Sequence, residues 1–97
     1  MDHDESNDTE DLSEFVEEIL RYVVAHPGAK DTVSGIQKWW LPRRISEEGK
    51  GKIAKSLKLL VAKGWLIERS PPQSETIYSL NENSLQEINQ FLDERSA

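Results

Sequence analysis

Hydrophobic positions along the chain fall into four helical stripes and one pair of strand-like runs. Leu12, Phe15, Val16, Ile19, Leu20 and Val23 recur at helical spacing, giving one broad apolar face with Glu14, Glu17, Glu18 and Arg21 on the wet side. Asp11-Leu12-Ser13-Glu14 fits a capping box, so this first helix is predicted to open at Asp11. It stops near His26, because Pro27 lacks the next amide donor and Gly28 releases the backbone. His26 is expected to serve the last-turn carbonyls and not a ligand.

A second helix is predicted from Asp31, as its cap, through Leu41, where Pro42 ends it. Its stripe is Val33, Ile36 and Trp40. Trp39 lies roughly 100° round the helix from Trp40, so both rings cannot enter the core centre. One becomes a core anchor and the other a half-buried flank residue, and a partly exposed Trp39 would suit a protein interface. Gly35 costs such a helix up to about 1 kcal/mol relative to alanine, which points to close packing at that position. Pro42-Arg43-Arg44-Ile45 reads as a short turn with Ile45 as an apolar plug.

The third helix is predicted over 46–63, capped by Ser46, with Glu47 and Glu48 at the positive end of its dipole. Ile53, Leu57, Leu60, Val61 and Gly64 form the inward stripe. Lys52, Lys55 and Lys63 are expected on the opposite face with Leu59 between them, and Lys50 and Lys58 further round on either side. Gly64 then breaks the helix. Trp65–Arg69 and Thr76–Leu80 read as two antiparallel strands joined by the tip Ser70–Glu75, whose prolines cannot sit in a strand interior. Ser84-Leu85-Gln86-Glu87 is a second capping box, opening a last helix with Leu85, Ile88, Phe91 and Leu92 on one stripe.

Composition and charge add a polarity to this layout. Ninety-seven residues allow one domain, and the absence of cysteine removes disulfides and thiolate metal sites. No apolar run approaches the ~20 residues of a membrane span. The acidic start is the reverse of a secretory signal, so a soluble, cytoplasmic protein without membrane association is expected. The net charge of −6 is uneven, since residues 1–11 hold six acids and no lysine or arginine. Without those six, twelve acidic residues stand against twelve basic ones. Residues 1–10 are expected to form a disordered acidic tail, leaving 11–97 as the single domain. Within 38–69, nine basic residues face three acids, a local net of +6.

The order helix, helix, turn, helix, Gly, hairpin, helix covers residues 11–95. With Leu57, Leu60, Gly64-Trp65-Leu66-Ile67-Glu68-Arg69, Tyr78 and Leu80 at their spacing, it resembles winged helix-turn-helix transcriptional regulators. The resemblance implies a mainly α fold with a small β-hairpin (α+β): a three-helix core, a wing and a C-terminal helix. It also implies that helix 46–63 is a recognition helix laid in the major groove, with 65–80 as the wing. Ser46, Glu47, Gly49, Lys50, Lys52 and Ser56 would then face the groove. Arg43 and Arg44 would meet phosphate, and Lys55 and Lys63 would extend that footprint. Three departures stand against this. The wing tip carries no base, Glu47 and Glu48 sit at the groove-facing end, and the pI is ≈ 4.9.

The expected function is a small DNA-binding transcriptional regulator acting on double-stranded DNA, with the first and last helices leaving room for a homodimer. The alternative is a winged-helix adaptor that uses Trp39, Leu59, the lysine face and the wing against an acidic protein partner without binding DNA. An enzyme is not expected. The two histidines lie in the tail and at a helix end, and Gly49-Lys50-Gly51-Lys52 is too short for a phosphate-cradling loop. No cofactor or metal is expected.

Overall fold

The computed structural model describes residues 12–41 and 44–96. The expected tail, the cap at Asp11, the stop at Pro42 and the candidate contact Arg43 lie outside the described residues.

Helix α1 spans Ser13–Ala25 and buries Phe15, Val16, Ile19, Leu20 and Val23, the stripe its periodicity dictates. Leu12 holds its cap position with no side-chain hydrogen bond. The backbone N–H of His26 serves the last turn as expected, donating to the Tyr22 carbonyl at 2.9 Å, and the imidazole takes a separate place. It lies over Tyr22 at 4.4 Å between ring centroids, and Tyr22 in turn stacks on Trp40 at 4.9 Å. The ring stack adds to that polar role, because Tyr22 sits one turn back on the same helix flank.

Strand β1, Lys30–Asp31, precedes the second helix and was not expected from the sequence. Asp31 is therefore not the cap. Its Oδ1 accepts from the Thr32 amide at 2.9 Å, and the Thr32 hydroxyl takes the capping position by accepting from the Gly35 amide at 3.2 Å. Helix α2 starts as the α-helical turn Val33–Gly35 and continues as a π-helical segment, Ile36–Trp40. A Cβ at Gly35 would collide with the Asp31 carboxylate, which accounts for glycine inside this helix.

Helix α3, Glu47–Lys63, is capped as its sequence predicts, with Ser46 Oγ accepting from the Gly49 amide at 3.0 Å. It ends at Gly64, whose φ of 83° closes the helix in a left-handed conformation that costs glycine nothing. Strands β2 (Leu66–Arg69) and β3 (Ile77–Leu80) follow. In the connection, the Ser74 amide donates to the Pro71 carbonyl. Pro72 and Gln73 occupy the two central turn positions, and Gln73 has the positive φ (63°) that a type II turn requires there. A 3-10 turn, Glu82–Ser84, leads into α4, Leu85–Ser96.

The result is a mainly helical chain with a three-stranded antiparallel sheet ordered β1-β3-β2. Leu66 pairs with Leu80 and Glu68 with Tyr78, while Asp31 meets Tyr78 from the other side. The period of two places Leu66, Tyr78 and Leu80 on the core face and Ile67 on the outer face. One hydrophobic core unites Ile19, Leu20, Ile36, Ile53, Leu57, Leu60 and Ile88, all fully buried. Helix α1 packs on both α3 and α4. Gly49 lets the first pair approach: a Cβ there would stand 2.8 Å from Ile45 Cγ2 and 3.4 Å from Phe15 Cζ.

Candidate functional site

The two ends of α3 differ in how their polar groups are used. At the C-terminal end, the Gly64 carbonyl accepts from Asn81 Nδ2 at 2.7 Å and from Ser84 Oγ at 2.9 Å. The Trp65 indole donates to Glu87 Oε1 at 3.2 Å, packs edge-on against Phe91, and has the Lys63 ammonium 5.0 Å above it. Ser84 and Glu87 thus do not form the expected capping box. Ser84 does stand directly before α4, but its hydroxyl donates to the Gly64 carbonyl and the Glu87 carboxylate accepts from the Trp65 indole, so both side chains tie α4 to the end of α3. This end is closed.

Its surroundings settle several candidate residues. Ser56 is not on a ligand-facing surface. It is fully buried and its hydroxyl donates to the Lys52 carbonyl at 2.8 Å, since it lies on the same arc as Ile53 and Leu60. Gly49, likewise expected at the groove, is buried against Phe15 and Ile45. Lys52 is half-buried at the edge of the packed arc, and Lys63 is engaged with Trp65. The Ser46 hydroxyl oxygen is committed to the helix cap.

The face that solvent reaches carries Glu47, Glu48, Lys50, Lys55, Lys58, Leu59 and Lys63. Lys50 Nζ meets Glu47 Oε2 at 3.3 Å. Leu59 is 40% exposed. Both residues expected at a protein interface, Trp39 and Leu59, are therefore open to solvent. The π-helical segment sends Trp40 into the core and leaves Trp39 at 69% exposure, well beyond the half-buried flank position expected for it. Ile67, on the outer sheet face, is 47% exposed and was missed because Trp65, Leu66 and Ile67 are apolar in succession, with no alternation to mark which side it takes.

Between α2 and the start of α3 runs an open cleft of about 720 Å³. Ser34, Gln37 and Lys38 form its α2 wall, and Leu41 and Ile45 supply apolar surface. Arg44 and Lys50 bring the remaining cations. Lys38 links this cleft to the exposed tryptophan, its ammonium standing 5.9 Å from the Trp39 ring centroid. Sequence reasoning placed Arg44 and Lys50 in the site but overlooked Lys38. Its signal was its position beside Trp39, one residue before the open ring.

The opposite flank is acidic. α1 and α4 carry Glu14, Glu18, Glu87, Asp93 and Glu94. Glu17 is tied to Arg21 at 2.7 Å and to Arg95 at 3.1 Å, and hydrogen bonds from first Arg21 and then Arg95 hold its carboxyl below its usual value. Tyr78 titrates above its usual value, through burial and then the charge of Glu68. Ile88 and Leu92 of α4 are buried within the chain, and Leu85 and Phe91 pack against the same core. The apolar stripe expected to serve a homodimer is thereby covered by the chain itself. Among the described residues no helix is long and apolar enough to cross a membrane. Comparison of the chain with protein-family profiles, curated proteins and solved structures finds no match.

Proposed function

We propose that the chain is a winged-helix module that works by binding a protein partner through the surface formed by α2 and α3. The element order α1-β1-α2-α3-β2-β3-α4 and the sheet order β1-β3-β2 support the winged-helix assignment, as does the direct passage from α3 through Gly64 into the β2–β3 wing. The observation that carries the binding mode is Trp39. A tryptophan left 69% exposed keeps a large apolar ring in water, and covering it with a partner removes that cost. Leu59 adds a second exposed apolar side chain on the same helix pair. The first turn of α3 presents Glu47 and Glu48, and the wing tip Pro71–Glu75 has no base, so neither element favours phosphate.

Duplex DNA is the second ligand supported by an observation, the exposure of Arg44 just before α3 and of Lys55 and Lys58 on it. Two measurements separate the readings. Fluorescence anisotropy with a mixed-sequence duplex at about 50 mM salt is expected to show weak binding at most. For the DNA reading, affinity would fall steeply with salt, by roughly −0.9 in log–log slope per phosphate, and Lys55→Glu with Lys58→Glu would abolish it. A partner captured by cross-linking is expected to survive that charge reversal and to be lost on Trp39→Ala with Leu59→Ala. Tight duplex binding with no effect of the apolar substitutions would overturn the protein-binding proposal.

A further inference from the structure

We infer that the cleft between α2 and the start of α3 is a docking site for an acidic segment of a partner protein, with an apolar side chain of that segment laid on Trp39. This rests on the protein-binding proposal above and names the partner's chemistry. Among the described residues, Lys38, Arg44 and Lys50 contribute three cations to the cleft lining, and no carboxylate is part of it. Glu47 reaches only the Lys50 ammonium at the rim, from a side chain 91% exposed, so an incoming carboxylate displaces a solvent-screened contact. Ser34 and Gln37 add hydroxyl and amide groups, and Leu41 and Ile45 add apolar surface.

The volume, about 720 Å³, accommodates several side chains of a peptide and not only one small ion. Lys38 joins the two halves of the site, lying in the cleft wall and against the Trp39 ring together. A ligand that satisfies both halves must carry negative charge and a large apolar group a few residues apart. The chain's own residues 1–11 supply the charge, with six acids, but offer only Met1 as a large apolar side chain. They match one half of the site. A partner segment with carboxylates flanking an aromatic or branched aliphatic residue matches both.

The test is selection of random twelve-residue peptides displayed on phage against the full chain, repeated with Trp39→Ala and with Lys38→Glu combined with Arg44→Glu. All three positions are exposed, so the variants are expected to fold, which circular dichroism and thermal melting verify. The expected pool is enriched in Asp and Glu around one large apolar residue. A representative peptide should bind the chain about tenfold more weakly after Trp39→Ala and lose binding after the double charge reversal. Its binding should also weaken with added salt. An enriched pool that is not acidic, no enrichment at all, or equal binding to the wild type and Trp39→Ala each overturns the inference. If peptides carrying charge alone bind equally well, the Trp39 half of the site is not used and the partner assignment falls. A cross-linked partner lost through Leu59→Ala but indifferent to the cleft would leave the protein-binding proposal standing and remove this one.

Discussion

The two tryptophans at the ends of α3 are put to opposite use. Trp65, just past the C-terminal end, has its indole N–H bonded to Glu87, its ring against Phe91 and a lysine above it. Trp39, beside the N-terminal end, has one cation near its ring and is otherwise mostly in water. The backbone follows the same division. The Gly64 carbonyl has two side-chain donors, whereas the cleft beside Ser46 leaves cationic side chains facing solvent. A ring with its polar atom satisfied and its faces covered holds a fold together. A ring with open faces beside an open cationic cleft is available to something else. Both residues are tryptophans near glycine or proline in the sequence, so residue type does not separate them. Contacts do.

The comparison can be broken at each end. The largest effect belongs to Trp65→Ala, which removes the half-buried ring from Phe91 and strands the Glu87 contact. It should destabilise the chain by about 2–3 kcal/mol, read as a lowered urea midpoint. An effect as small as that of an exposed site would mean the C-terminal end is not closed in solution. Asn81→Ala takes one donor from the Gly64 carbonyl and the acceptor from the Asn83 amide, so about 1 kcal/mol should be lost in the same assay. Trp39→Ala should change stability by no more than about 0.5 kcal/mol while removing partner binding. A loss comparable to that of Trp65→Ala would show the ring to be structural and remove the contrast between the ends.

The smallest effect is electrostatic and lies on the acidic flank. Arg21 and Arg95 hold Glu17 below its usual value of 4.5, so the folded chain keeps it ionised to lower pH than the unfolded chain does. Its contribution is present above the unfolded value and is lost as pH falls through the folded one. Glu17→Gln should therefore leave a flatter decline in stability below about pH 4.5 than the wild type shows, measured by urea unfolding across pH. At neutral pH it should remove only the small contribution of exposed ion pairs.

The four helices and the hairpin were legible because their signals are local. The α1 stripe, the Ser46 cap and the Gly64 stop all depend on residues within one or two turns, and each stands where the pattern places it. The exposure of Leu59 also follows from helical spacing alone. Strand β1 was not legible, because two residues carry no alternation and exist as a strand only through β3. Ser56 and Gly49 were misplaced since a polar or absent side chain gives no hydrophobic signal, although both lie on the buried arc of α3.

By itself the sequence determined the order of elements, the core stripes and the concentration of positive charge over 38–69, all set by periodicity and composition. Tertiary structure alone decided how the ends of α3 are used. Ser84 and Glu87 are more than eighteen residues beyond Gly64 yet act on the α3–β2 junction, which no local pattern encodes. Trp40 already stood on the predicted stripe, and the π-helical winding over Ile36–Trp40 decided how fully Trp39 is left outside. Trp40 is held by its long-range stack on Tyr22, and Trp39 stands beside a cleft that exists only once α2 and α3 are packed together.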